Sequence, residues 1–150
     1  MKRAILIASL LVLAFPAVAS ARFFLGPFQP QVHNDGVEIS VTFKHQKPRQ
    51  VTKIEFHNVP TGTPCNGSNF YFRSMKVDPV TLKFHGSGHP GKAGNADWPP
   101  YPNMTTTWHG RFFAKNTKIH GTLEVTGKGP CNGDTGPLTF VAHLRTKTSP

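Results

Sequence analysis

The stretch VEISVTFK, residues 37–44, alternates strictly between apolar and polar side chains. Valine, isoleucine, valine and phenylalanine fill the odd positions, and glutamate, serine, threonine and lysine fill the even ones. Successive side chains of a β-strand point to opposite faces of a sheet, so this pattern places one face in a core and the other in water. A half-buried strand of this kind is typical of an antiparallel sheet.

The same period of two recurs further along the chain, and no stretch shows a sustained helical period. The other alternating segments are 53–57, 70–75, 80–84, 108–113, 119–125 and 138–144. Many short strands separated by glycine and proline turns predict an all-β fold. We expect an antiparallel β-sandwich or flattened barrel of about seven to nine strands.

Two segments depart from the alternation. Residues 22–36 are apolar but are interrupted by Pro27 and Pro30, and we expect them to cover an edge strand. Residues 86–103 are rich in glycine and proline, which predicts a long loop rather than a central strand. A loop of this length in a compact domain is often functional.

Two loops echo each other in sequence. TGTPCNG at 61–67 and TGKGPCNG at 126–133 each follow one predicted strand and precede another. The echo favours two pseudo-repeated β-meanders whose cysteine loops meet. Coincidence between common turn sequences is the alternative, since Asn-Gly is a favoured turn pair.

The chain has the length of one domain and a strong positive charge. Its 150 residues include 17 Lys and Arg against 7 Asp and Glu, a formal net charge of +10. Residues 1–21 combine Lys2 and Arg3 with an apolar run at 4–14 and a small-residue site at 19–21, which predicts a secretory signal peptide. The remaining 22–150 are then a single secreted, extracytoplasmic β-domain, and no segment predicts a transmembrane span.

The predicted secretory location determines how the two cysteines are interpreted. In an oxidising compartment, Cys65 and Cys131 indicate a disulfide between the two echoing loops. Two free buried thiols are the alternative.

The second half of the chain carries a recognisable run of motifs. They are GRF at 110–112, GTLEV at 121–125, Cys131 and TGPLTFVA at 135–142, with matching earlier elements at 51–56 and Cys65. In these features the chain resembles small secreted bacterial single-domain β-proteins of unassigned function. In that family the late cysteine runs straight into Asp-Thr-Gly, whereas here Asn132 and Gly133 intervene. The resemblance implies an all-β, disulfide-linked fold and supplies no catalytic residue.

Histidines are the candidate metal ligands. If segment 119–125 pairs with 138–144 so that Leu123 meets Phe140, then His120 meets His143 on the outer face, with His109 diagonal to His120. These three imidazoles predict a zinc or copper site, and a solvated sheet face is the alternative. The separate pair His85 and His89 predicts at most weak loop binding of a metal. No cofactor-binding motif and no G-x-S-x-G motif is present.

The basic charge suggests a different role. It is spread over most of the predicted strands and forms no recognised nucleic-acid motif, so nucleic acid is not the expected partner. A secreted protein of this charge is drawn instead to anionic polymer, cell wall or a membrane surface. The candidate ligand-binding residues are Lys118, Arg111, Trp98 and Tyr101. We therefore favour a non-enzymatic binding module, with a small secreted metal-binding protein or hydrolase that uses surface histidines as the alternative.

Overall fold

The computed structural model describes residues 19–29, 35–61, 66–89, 103–127 and 133–145, with the backbone alone at 66–68. Over these residues the chain forms β-strands and no helix. The all-β prediction is therefore confirmed. The strands are β1 Ser20–Gly26, β2 Phe28–Gln29, β3 Gly36–Lys44, β4 Lys47–Pro60, β5 Asn66–Lys76, β6 Lys83–Gly88, β7 Met104–Phe113, β8 Lys118–Gly127 and β9 Leu138–Arg145.

The strands form one antiparallel sheet that is nearly closed into a barrel. Their order is β5-β4-β3-β1-β9-β8-β7-β6, and the short β2 pairs with β9 beside this path. The first and last strands of the path, β5 and β6, approach each other without joining the ladder. A two-sheet sandwich is not confirmed, and the flattened barrel of the same prediction is the closer description.

Residues 22–36 were expected to cover an edge strand, but most of their described part lies within the sheet. Instead of covering an edge strand, β1 pairs with β3 on one side and with β9 on the other. Pro27 separates β1 from β2 at an exposed position, so the proline costs the central sheet no hydrogen bond. Phe24 and Phe28 are fully buried on either side of it. The predicted signal peptide lies mostly outside the described residues, although its last residues, Ser20 and Ala21, belong to β1.

The strand predicted at 80–84 begins later than expected. Val80 is 86% exposed in a turn, and β6 starts only at Lys83. The Asp78 carboxylate organises this turn by accepting hydrogen bonds from the Thr81 amide, the Thr81 hydroxyl and the Val80 amide. These bonds, with the Thr81 amide contributing most, hold the pKa of Asp78 below its usual value. Local capping of the turn therefore overrides the apolar pattern.

Two glycines that predict a loop are instead part of β6. A Cβ at Gly86 would lie 2.4 Å from the Trp108 ring, and one at Gly88 would lie 2.9 Å from the Phe72 ring. The two rings stack with centroids 3.8 Å apart, and the indole nitrogen donates to the sulfur of Met75 at 2.9 Å. Side chains of β5 and β7 thus meet beneath β6, and the glycines give them room. The remainder of the predicted loop, 90–102, lies outside the described residues.

The interior is an aromatic-rich core. Fully buried phenylalanines from six strands pack against one another with ring centroids about 6 Å apart, in stacked and edge-to-face pairs. Phe56 is the most connected, with Phe28, Phe72, Trp108 and Phe140 around it. Apart from the buried Thr106 of β7, the inward side chains of the long strands are apolar, so most polar side chains lie on the outer face with the candidate sites.

Both halves of the chain contain a three-stranded meander, β3-β4-β5 and β7-β8-β9. Cys65 and Cys131 lie outside the described residues, and so does the proposed bond between them. Their described neighbours Asn66 and Gly133 both lie at the end of the barrel where β4 and β8 finish. No helix among the described residues is long and apolar enough to cross a membrane.

Candidate functional site

A basic groove crosses the outer face of strands β6 to β9. It is built from two rows of side chains that the antiparallel register sets side by side. In one row, Lys83 of β6 pairs with Arg111 of β7, which pairs with His120 of β8. In the next row, His85 pairs with His109. The residues of each strand are two apart, so all of them point away from the core.

The groove has a volume of about 600 Å³. Its floor includes the backbone of Gly110 and Gly121, which pair directly across β7 and β8. A Cβ on Gly110 would lie 2.4 Å from the Phe84 ring, and one on Gly121 would lie 2.3 Å from the Phe140 ring. The core rings therefore pack directly under the glycines, and the groove rests on a rigid base.

One wall of the groove joins an aromatic ring to a guanidinium and an imidazole. Phe113 is 39% exposed, which is unusual for a phenylalanine of this protein. The guanidinium carbon of Arg111 lies 5.1 Å from the centroid of its ring, and the His120 ring lies 4.7 Å from it. These contacts hold the three side chains together and present a flat apolar surface beside positive charge.

The opposite part of the groove is polar and uncharged. Thr122 places its hydroxyl 2.9 Å from both ring nitrogens of His109, which fixes the imidazole against β8. Thr139 and Gln29 continue this row onto β9 and β2, and the Thr139 hydroxyl donates to the Gln29 carbonyl at 3.1 Å. Among the described residues, no aspartate or glutamate lines the groove. The site therefore offers hydrogen-bond donors and positive charge, which suits an anionic ligand.

Of the residues predicted to bind a ligand, Arg111 lies in the groove. Lys118 stands exposed at the start of β8, opposite Phe113 and His143 in the ladders, and it is outside the groove lining. Trp98 and Tyr101 lie outside the described residues. Lys83 and His85 were not among the predicted ligand-binding residues, although pairing of β6 with β7 would have placed both beside Arg111 and His109.

The expected register between β8 and β9 is wrong by two residues. Leu123 pairs with Leu138 rather than Phe140, so His120 meets Val141 and His143 meets Lys118. The position of Arg111 opposite His120 is as predicted. A shift of two leaves every side chain on its predicted face, so the alternation alone could not distinguish the two registers.

The register is set instead by the segment that leads into β9. Thr135 accepts a hydrogen bond from the Val125 amide through its hydroxyl and donates its own amide to the Val125 carbonyl. His109, His120 and His143 all lie on the outer face, but they are not among the described groups of three ligands that could reach one ion. The proposed metal site at these three histidines stays a prediction.

The pair His85 and His89 is divided between two surroundings. His85 faces outward on β6, where it pairs with His109. The Nδ1 atom of His89 lies 2.8 Å from the Met104 carbonyl oxygen, so this ring binds the backbone at the start of β7. Within the described part of the chain, one group of three potential metal ligands does converge, and it consists of Glu38, Glu55 and His57.

Comparisons with protein-family models, with curated proteins and with solved structures each found no match. The resemblance to small secreted bacterial β-proteins therefore stays a prediction, and the function has to be argued from the geometry of the surface.

Proposed function

We propose that this protein is a secreted, non-enzymatic binding module that holds an anionic envelope or extracellular polymer in the groove of β6 to β9. One observation carries the proposal: five lysine, arginine and histidine side chains line a single groove without a described carboxylate among them. They are Lys83, His85, His109, Arg111 and His120. The chain as a whole, at +10, adds a long-range attraction for the same ligands.

The spacing of the groove suits a repeating anion. Neighbouring strands lie about 4.8 Å apart, so the row from Lys83 through Arg111 to His120 spans about 10 Å. A polymer with a phosphate, sulfate or carboxylate on each unit can meet the neighbouring cations Lys83 and Arg111 and then the His120 imidazole. Arg111 can grip one such group with two parallel hydrogen bonds, whereas Lys83 acts as a point charge.

The exposed ring of Phe113 favours a polymer that contains sugar or another flat apolar surface. An aromatic ring beside cations can cover the apolar face of a sugar while the charges bind its acidic substituents. The predicted signal peptide supports a location in which such polymers are available. A disulfide between Cys65 and Cys131 belongs to the same proposal, because it suits an oxidising compartment.

The test is retention of the purified protein on immobilised heparin and on immobilised polyphosphate across a salt series. Exposed charge pairs contribute roughly 0.2–1 kcal/mol each, so we expect the double variant Lys83→Gln with Arg111→Gln to bind about twofold to thirtyfold more weakly. It should also elute at lower salt. Immobilised neutral dextran serves as the uncharged matrix and should retain neither protein.

The matched control is Lys44→Gln with Lys47→Gln. These lysines pair with each other on β3 and β4, outside the groove lining, and both are exposed. The control removes the same charge and should reduce binding much less. Equal losses in the two double variants would show that the attraction is diffuse and would refute a groove site. No retention of the unmodified protein on either polymer would refute the binding function itself.

A further inference from the structure

We propose that Glu38, Glu55 and His57 form a binding site for a divalent transition-metal ion on the outer face of β3 and β4. This site is separate from the basic groove, because it lies on the other half of the sheet. One ligand atom from each side chain lies within 4.8 Å of the other two. Ligands bound to one tetrahedral ion at about 2.1 Å lie about 3.4 Å apart, so small side-chain rotations complete the site.

The register of the hairpin brings the three residues together. Glu38 and Glu55 are directly opposite each other in the β3–β4 ladder. His57 lies two residues beyond Glu55 on the same face, opposite Gly36. Gly36 itself contributes no side chain to the outer face between His57 and Glu38. A Cβ there would lie 2.5 Å from the Gly26 carbonyl oxygen, so the position is closed to larger residues.

The paired carboxylates are the feature that needs a cation. Like charges directly opposite each other destabilise a sheet, and this protein has only 7 acidic residues among 150. Glu55 is paired with Lys53, whose Nζ lies 2.7 Å from Oε1 of Glu55. The ion pairs of the described residues include no partner for Glu38. A divalent ion would neutralise both carboxylates at once.

The Lys53 ammonium has a second favourable contact that it can keep when an ion binds to Glu55. Its Nζ lies 5.6 Å from the centroid of the Tyr71 ring, within the range of a cation–π contact. The ammonium can therefore leave Glu55 and still keep a favourable neighbour on β5. Lys53 and the metal ion compete for the same carboxylate, so removal of the lysine should strengthen metal binding. A cluster with only a structural role would show no such gain.

The ligand set selects the class of ion. Two carboxylates and one imidazole suit zinc, manganese or iron(II), whereas calcium and magnesium prefer oxygen ligands alone. The histidine also distinguishes this group from a chance cluster of surface acids. All three side chains are half-buried, so the protein shields one side of the ion and solvent completes its coordination.

The experiment is calorimetric titration of zinc chloride into the EDTA-treated full chain under non-reducing conditions. We expect saturable binding that weakens at least about tenfold in Glu38→Gln and in His57→Ala, since loss of even an outer-shell partner costs about 10–100-fold. Lys53→Met should bind zinc more tightly than the unmodified protein. Glu124→Gln and His45→Ala remove the same groups elsewhere on the barrel and should leave this binding unchanged.

Melting curves without metal separate binding from folding. Glu38→Gln removes like-charge repulsion, so its metal-free melting temperature should equal or exceed that of the unmodified protein, while the rise on adding zinc is lost. No zinc binding by the unmodified protein would overturn the proposal. Unchanged affinity in both Glu38→Gln and His57→Ala would overturn it as well. Unchanged affinity in Lys53→Met would remove Glu55 from the ligand set and so overturn the three-ligand site.

Discussion

Phe56 is the residue whose loss should cost the fold most. Its ring is fully buried at the centre of the core, with the centroids of four other aromatic rings between 6.2 and 6.4 Å away. The substitution Phe56→Ala would leave a cavity bordered by rings from β2, β5, β7 and β9. Because these strands belong to one hydrogen-bonded sheet that is nearly closed into a barrel, they cannot all move inward to fill it.

The expected loss in the free energy of unfolding is about 4 kcal/mol. Truncation of a buried phenylalanine to alanine costs about 3–5 kcal/mol, and the four ring neighbours place Phe56 in the upper half of that range. A domain of this size loses roughly 4 °C in melting temperature per kcal/mol, so we expect a fall of about 15 °C. This is a large share of the total stability of about 5–15 kcal/mol that is usual for a domain.

The assay is unfolding in urea followed by circular dichroism, with thermal melting of the same samples. Phe113→Ala is the matched control, since it makes the same chemical change on β7 at a ring that is 39% exposed. We expect the control to lose less than about 1 kcal/mol. If Phe56→Ala and Phe113→Ala were destabilised equally, the central position assigned to Phe56 would be refuted.

Two further predictions concern a turn and the cysteines. Because hydrogen bonds from Thr81 and Val80 lower the pKa of Asp78, its carboxylate should titrate below 3.8 in an NMR experiment, and Asp78→Asn should remove that titration. The stability that this turn contributes should be fully present above the unfolded pKa of about 3.9 and lost as the pH falls through the lower folded value. If the two cysteines form the proposed disulfide, a reductant should remove about 4 kcal/mol of stability and lower the melting temperature by more than about 10 °C. Titration of Asp78 at or above 3.8, or a melting temperature that the reductant leaves unchanged, would contradict the respective prediction.

The alternation of apolar and polar residues was sufficient to predict the class of fold. It identified the cores of β3, β7, β8 and β9, because each of these strands buries one face and exposes the other. It was misleading at Val80, where the side chains that cap a turn decide the conformation and the apolar residue is left in solvent. Local hydrogen bonds of this kind cannot be predicted from the spacing of apolar residues.

Glycine was the other source of error. Gly86 and Gly88 predict a turn by composition, yet they lie in β6 because the Trp108 and Phe72 rings need the space beneath them. That requirement comes from strands β5 and β7, so it is invisible until the tertiary contacts are known. The register of β8 and β9 was missed for a similar reason, since Thr135, which sets it, lies outside both strands.

The candidate sites were also predicted only in part. Arg111 and the histidines of β7 and β8 were predicted on the outer face and lie there, because period two is enough to assign a face. Lys83 and His85 were missed because the pairing of β6 with β7 spans a long segment with no sequence signal for its register. Glu38, Glu55 and His57 were not among the predicted site residues, because the alternation assigns each a face but does not show which residues of β3 and β4 lie opposite each other.

The position of β1 has a consequence for how the chain reaches its native state. Its ladder neighbour on one side is β9, so Phe24, close to the first described residue, pairs with Leu144, close to the last. The barrel cannot be completed until the ribosome has released the final strand, and such long-range closure makes folding slow.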